Sequence, residues 1–215
     1  MASNDEYNNQ VFINCPFDLD YRNLYCACIF TVIDAGFIPR CSREVSNANK
    51  SRLDNIVQLI KECRYGIHDI SRVELDVEHE LPRFNMPFEY GVFYGSQRFG
   101  NGAHKNKCAL VLERDEYRYQ KYLSDISGID VSAHNNQPES LIVNIRNWLH
   151  TASKRTSIPS GVDITTRFNL FQDYIVLLCI EKNRDYDDFS YLELVENMTA
   201  WLKAYQPETE MLQIH

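Results

Sequence analysis

Lys107-Cys108-Ala109-Leu110-Val111-Leu112 is an apolar run too short for a typical helix and too continuous for a strand with one wet face. It reads as a strand buried on both sides, the mark of a parallel sheet with helices above and below it. Three short apolar runs precede it: Val11-Phe12-Ile13-Asn14, Phe37-Ile38-Pro39-Arg40-Cys41 and Tyr65-Gly66-Ile67-His68-Asp69-Ile70. Pro39 has no backbone N–H to donate, so the second run belongs at a sheet edge or a strand end. Helical spacing fills the gaps. Leu24, Cys28, Thr31, Val32 and Ala35 form an inner stripe closed by Gly36, and Leu53, Ile56, Val57 and Ile60 recur after Ser51. Gly128 to His134 supplies a last strand, and Pro138 opens an amphipathic helix through Leu141, Ile142, Ile145, Trp148 and Leu149. Strands alternating with helices over residues 11–152 predict an α/β domain, a parallel sheet with helices on both faces.

Outside that domain, residues 1–10 are polar and acidic and read as a disordered tail. Ser153 to Gly161 is a linker. Two helices near 163–182 and 189–205, with no strand between them, make a C-terminal helical appendage over 162–206. Phe168, Phe171, Tyr174, Leu177, Leu178, Leu192, Leu194, Trp201 and Leu202 give this pair more apolar surface than an isolated hairpin buries. It packs on the sheet domain or forms a homo-oligomer contact.

No apolar run reaches the roughly 18 residues that span a bilayer, so no membrane role is expected. Seven cysteines, most of them in apolar segments, read as reduced core thiols of a cytoplasmic protein. Cys26-Ala27-Cys28 lacks the spacing and the second ligand pair of a zinc site, and no metal is expected. A net charge of −8 argues against direct nucleic-acid binding. Neither G-x-G-x-x-G nor G-x-x-x-x-G-K-[ST] occurs, which excludes the usual dehydrogenase and P-loop sites, and G-x-S-x-G and H-E-x-x-H are also missing.

In an open parallel sheet, ligands sit beyond the carboxyl ends of the strands. Those ends carry Asn14, Pro16, Phe17 and Asp18; Arg40 and Arg43; Asp69, Ser71 and Arg72; and the stretch Asn85-Met86-Pro87-Phe88-Glu89-Tyr90-Gly91-Val92-Phe93-Tyr94-Gly95. Arginines suit phosphate, Phe17 suits stacking, and carboxylates suit ribose hydroxyls. Pro87 in a helix's first turn pushes Met86 out of the α region and sets Glu89 two residues into the helix, at its electropositive end. Gly91 and Gly95 share a face on which a neighbouring backbone can come close. A plainer role for Glu89 is to offset the helix dipole. His68 reads as a strand residue packed beside a helix, and Val73 to Arg83 as a mobile loop over the strand ends. One positioned carboxylate is enough to cleave a bond at a ribose anomeric carbon, where the transition state is oxocarbenium-like.

Val11-Phe12-Ile13-Asn14-Cys15-Pro16-Phe17, Asp69 at a strand end, Pro87-Phe88-Glu89-Tyr90-Gly91 and the strand from Lys107 to Leu112 together resemble nucleoside 2-deoxyribosyltransferase-like proteins. The Glu of that family's F-E-x-G motif is the nucleophile, and it maps here onto Glu89. Toll/interleukin-receptor (TIR) domains share a related flavodoxin-like sheet, and bacterial members use a helix Glu to cleave NAD, often in antiphage defence. The resemblance covers roughly residues 11–113. It implies an N-glycosidic-bond hydrolase or transferase acting on NAD or a nucleotide, with no further cofactor. Glu89 would be catalytic. Phe17 and Tyr90 would wall the base or ribose, Asp69 would hold a ribose hydroxyl, and Arg40, Arg43 or Arg72 would take phosphate. Asn14, Pro16, Asp18, Ser71, Asn85, Pro87 and Phe88 would complete the ligand shell. A second reading is a nucleotide-sensing module that binds without cleaving and relays occupancy to an effector. A third is a scaffold whose strand-end residues are only caps and surface charges.

Overall fold

The computed structural model describes residues 4–44, 49–75 and 81–205. Five strands form one all-parallel sheet: β1 (Gln10–Asn14), β2 (Ile38–Arg40), β3 (Tyr65–Asp69), β4 (Cys108–Glu113) and β5 (Val131–Ala133), in the order β2-β1-β3-β4-β5. This is the flavodoxin-like order, with its switch point between β1 and β3. β2 is an edge strand, which is where Pro39 costs no ladder bond.

Helices α2 (Arg22–Asp34) and α5 (Pro138–Ser153) cover one face, and α3 (Arg52–Glu62) and α4 (Asn85–Phe99) cover the other. The strand pleat sorts the core between them. Val11, Ile13, Tyr65, Ile67, Leu110 and Leu112 join α2 and α5, whereas Phe12 packs with Ile56, Leu59, Ile60, Cys63 and Phe93. Gly36 ends the α2 segment at φ +80°, a left-handed turn that suits a residue without Cβ. Ser51 caps α3 by accepting from the Asp54 N–H at 3.1 Å.

The C-terminal helices α6 (Gly161–Lys182) and α7 (Tyr191–Ala204) are a further layer over α2 and α5, continuous with the main core. Every α2 residue from Leu24 to Val32 is buried, so the helix is apolar all round and not along one stripe. Phe30 shows why: it meets Phe168, Phe171 and Trp201 at ring-centroid distances of 5.6, 5.5 and 6.1 Å.

Two sequence expectations are corrected here. The described part of the expected disordered tail is ordered, with Asn4–Asn9 forming α1 and Gln10 opening β1. Tyr7 anchors it: its ring lies 5.4 Å from Lys107 Nζ, and its hydroxyl donates to the Ala103 carbonyl at 3.0 Å. Lys107 is itself buried. It donates to the Ile60 carbonyl at 2.5 Å and to the Cys63 carbonyl, a cation capping the negative end of α3. Second, α4 begins at Asn85, so Met86 is helical, Pro87 is the third residue and Glu89 the fifth. Pro87 still lies in the first turn, where its missing N–H breaks no helix bond. The expected loop of Val73 to Arg83 falls partly outside the described residues; its ends meet in a Leu75–Pro82 antiparallel bridge. Among the described residues, no helix is long and apolar enough to cross a membrane.

Candidate functional site

Asn14 and Asp69 end adjacent strands at the switch point but project to opposite faces, because the pleat alternates. The predicted ligand shell therefore divides in two.

On the α3/α4 face, the Asn14 side-chain amide donates to the Met86 carbonyl at 2.9 Å and to His68 Nδ1 at 3.1 Å. Asn14 thus ties the start of α4 to the end of β1. His68 is enclosed by Phe12, Tyr90 and Phe93, and burial lowers its pKa to about 3, with Lys107 adding to the effect, so it stays neutral. It is a packed strand residue. Gly66 makes room for it: a Cβ there would lie 2.6 Å from His68 Nε2 and 2.8 Å from the Phe93 ring.

Glu89 is 7% exposed and makes no hydrogen bond or ion pair with any described residue. Burial pushes its carboxyl up to about 7, and the Arg52 charge pulls weakly the other way. Tyr90, its neighbour, turns into a separate core cluster with Ile70, Val111 and Tyr119, so it does not wall a pocket beside Glu89. Asn85 and Phe88 are exposed, Phe88 by 55%.

On the α2/α5 face, Asp69 is fully buried and fully partnered. It accepts from the Tyr21 hydroxyl and, at 2.9 Å, from the Ser71 N–H; His134 Nε2 lies 3.0 Å away. The Asn136 N–H donates to His134 Nδ1 at 3.1 Å, which leaves Nε2 as the protonated nitrogen facing Asp69. Burial works to raise the Asp69 pKa, but His134, Ser71 and Tyr21 outweigh it and hold the carboxyl below its ordinary value. Its oxygens are committed to the protein, so the ribose-holding role is not supported.

Beside Tyr21 opens a cavity of about 400 Å³ lined by Asp20, Asn23, Ser71, Arg72, Arg114 and Asn136, among others. Glu89 does not line it. Arg72 bridges to Asp18 at 2.8 Å, and Asp18 also caps the 3-10 turn Leu19–Tyr21. Arg114 pairs with Glu74 and Asp115, each at 2.9 Å.

Arg40 does not reach a ligand position. Its guanidinium is taken by Gln10 at 2.5 Å, by Glu44 at 2.6 Å and by Glu62 at 3.2 Å. Arg43 has no ion pair among the described residues and lies over the Phe17 ring at 5.5 Å, a cation beside an aromatic surface at the ends of β1 and β2. Pro16 is buried in the turn below.

Sequence reading missed Glu113, the last residue of β4 and fully buried. It binds the Arg114 N–H at 2.7 Å, Arg118 at 2.8 Å and the Tyr122 hydroxyl. Its place at the end of the clearest strand was a usable signal; Tyr21 and His134 carried none, since only the fold brings them to Asp69. Among the described residues no His, Cys, Asp and Glu side chains cluster to hold a metal ion. Neither the family models nor the curated proteins compared with this chain give a match, so its function is read from this geometry alone.

Proposed function

We propose that the chain hydrolyses or transfers an N-glycosidic bond of NAD or a related nucleotide, with Glu89 as nucleophile or oxocarbenium stabiliser. The observation that carries this reading is a buried carboxylate with no hydrogen-bond or ion-pair partner among the described residues and a pKa raised by burial to about 7. Buried charges are normally paired, and one kept unpaired suits a site whose positive charge arrives with the substrate. A cationic ribosyl centre would draw Glu89 into its ionised form at the moment it is needed. At the ends of β1 and β2, Arg43, which has no ion pair among the described residues, and Phe17 offer a cation and a flat surface for phosphate and base.

Incubating the purified protein with NAD, NADP and common (deoxy)nucleotides, with released base followed by chromatography, tests it. Free nicotinamide or nucleobase is expected, and Glu89→Gln should lower the rate by about a hundredfold or more. Full turnover in that variant overturns the assignment.

One observation favours the sensing alternative. The strand-end cavity with Arg72 and Arg114 excludes Glu89, an arrangement that suits binding without cleavage. In that case a nucleotide raises the melting temperature and is recovered intact.

A further inference from the structure

The outer face of α4 carries Phe88, Gly91 and Gly95, and Phe84 holds the N-cap position before them; the four are spaced four, three and four residues apart, the seam spacing of a coiled coil. Among the described residues, nothing covers this seam. Phe84 is 62% and Phe88 55% exposed, the flanking Tyr94 and Phe99 are 40% and 89% exposed, and a Cβ built on Gly91 or Gly95 would meet no atom within 4 Å. The close approach that the two glycines permit is therefore not used by any described residue of the monomer.

We infer that this seam docks α4 of a second copy of the chain, antiparallel about a two-fold axis. In that register Phe88 of one copy lies over Gly91 of the other, and Phe84 over Gly95, so each aromatic knob meets a glycine hollow in the partner. A parallel pairing would stack Phe on Phe and Gly on Gly, giving two overfilled layers and two empty ones, against the even packing density of protein interiors. The seam and its flanks (Asn85, Pro87, Tyr94, Arg98 and Phe99) hold no carboxylate, so two chains of net charge −8 can meet there without acid facing acid. At about 200 Å² per aromatic residue, the exposed parts of Phe84, Phe88, Tyr94 and Phe99 offer roughly 500 Å² of apolar surface per copy. The glycines, Pro87 and Arg98 extend this toward the about 800 Å² per partner of a standard interface. The inference does not depend on Glu89 chemistry, although the contact would brace the helix that carries it.

Sedimentation velocity on the full chain, from low to high micromolar concentration, tests this. The wild type should run as a dimer at the upper end. Gly91→Leu or Gly95→Leu should weaken association by at least about tenfold, as overpacked contacts do. The open space at both positions lets the monomer keep its fold, checked by an undiminished far-UV circular dichroism melt. Exchanging knob and hollow in one chain, Phe88→Gly with Gly91→Phe, should restore association that each single change loses. A monomeric wild type at every concentration overturns the inference. So does a dimer indifferent to both leucine variants, including one broken instead by a charge on the exposed α6 face at Leu177.

Discussion

Glu89 and His68 link protonation to folding in opposite directions. The Glu89 carboxyl titrates at about 7 in the fold and at about 4.5 in the open chain, so between those values the native state holds the extra proton. Stability from this group falls as pH rises from about 4.5 to 7. Glu89→Gln should therefore gain about 2 kcal/mol at pH 8 and nearly nothing at pH 4, read from denaturant titrations at the two pH values. Were turnover lost in the same variant, the unfavourable burial would be explained by its chemistry; a variant no more stable than wild type at pH 8 would contradict its burial without a partner among the described residues. His68 has its pKa lowered from 6.5 to about 3, so below about pH 6.5 the unfolded chain takes a proton that the native state refuses. Stability from His68 is lost as pH falls from about 6.5 toward 3. His68→Gln should flatten that part of the acid unfolding curve.

At the scale of elements, the position of α4 is set from below. Gly66 lets Phe93 and His68 close on β3, and Asn14 holds the first turn through the Met86 carbonyl. Gly66→Ala forces a methyl group against both rings and should cost about 1–3 kcal/mol in chemical denaturation. Asn14→Ala leaves the Met86 carbonyl and His68 Nδ1 without their donor and should cost about 1–2 kcal/mol. Because Asn14 acts through the helix, the same change should loosen α4, seen as faster amide exchange in its first two turns, with β4 amides unchanged. Lys107 plays the matching part for α3. Lys107→Met removes the cation that caps the Ile60 and Cys63 carbonyls, and α3 should fray first at its C-terminal end.

At the scale of the whole molecule, the C-terminal helices are part of the fold and not an accessory. α2 has no wet face because α6 and α7 cover the side that the sheet does not, and Phe30, Phe168, Phe171 and Trp201 form one aromatic cluster. A chain ended after residue 160 exposes that cluster and should fail to fold, giving an aggregating product without a cooperative thermal transition. Trp201→Ala in the full chain should cost about 3–4 kcal/mol, the range of a large aromatic lost from a core.

Periodicity and strand-end chemistry made much of this readable from the residues alone. Continuous apolar runs gave the parallel sheet, Pro39 placed its edge strand, Gly36 and Ser51 marked helix boundaries, and the alternation over residues 11–152 gave the layers. The same pattern picked out Glu89 before its burial was known. Those signals are local: each depends on the spacing of neighbours along the chain or on one residue's backbone preference. The tertiary structure alone decided which strand-end residues share a space. Asn14 and Asp69 look equivalent in sequence, but the pleat turns them to opposite faces, so the expected single pocket separates into the α4 side with Glu89 and the α2 side with Tyr21, Asp69 and His134. It also decided which polar groups remain available. Arg40 and Asp69 suit a ligand by residue type, yet each is satisfied by near neighbours, Glu44 and Ser71, together with partners distant in the chain, Gln10 and Glu62 for Arg40 and Tyr21 and His134 for Asp69. Glu89, by contrast, has no partner among the described residues. Local spacing records what a segment can bury, but the choice of hydrogen-bond partner depends on chain segments that meet only after folding.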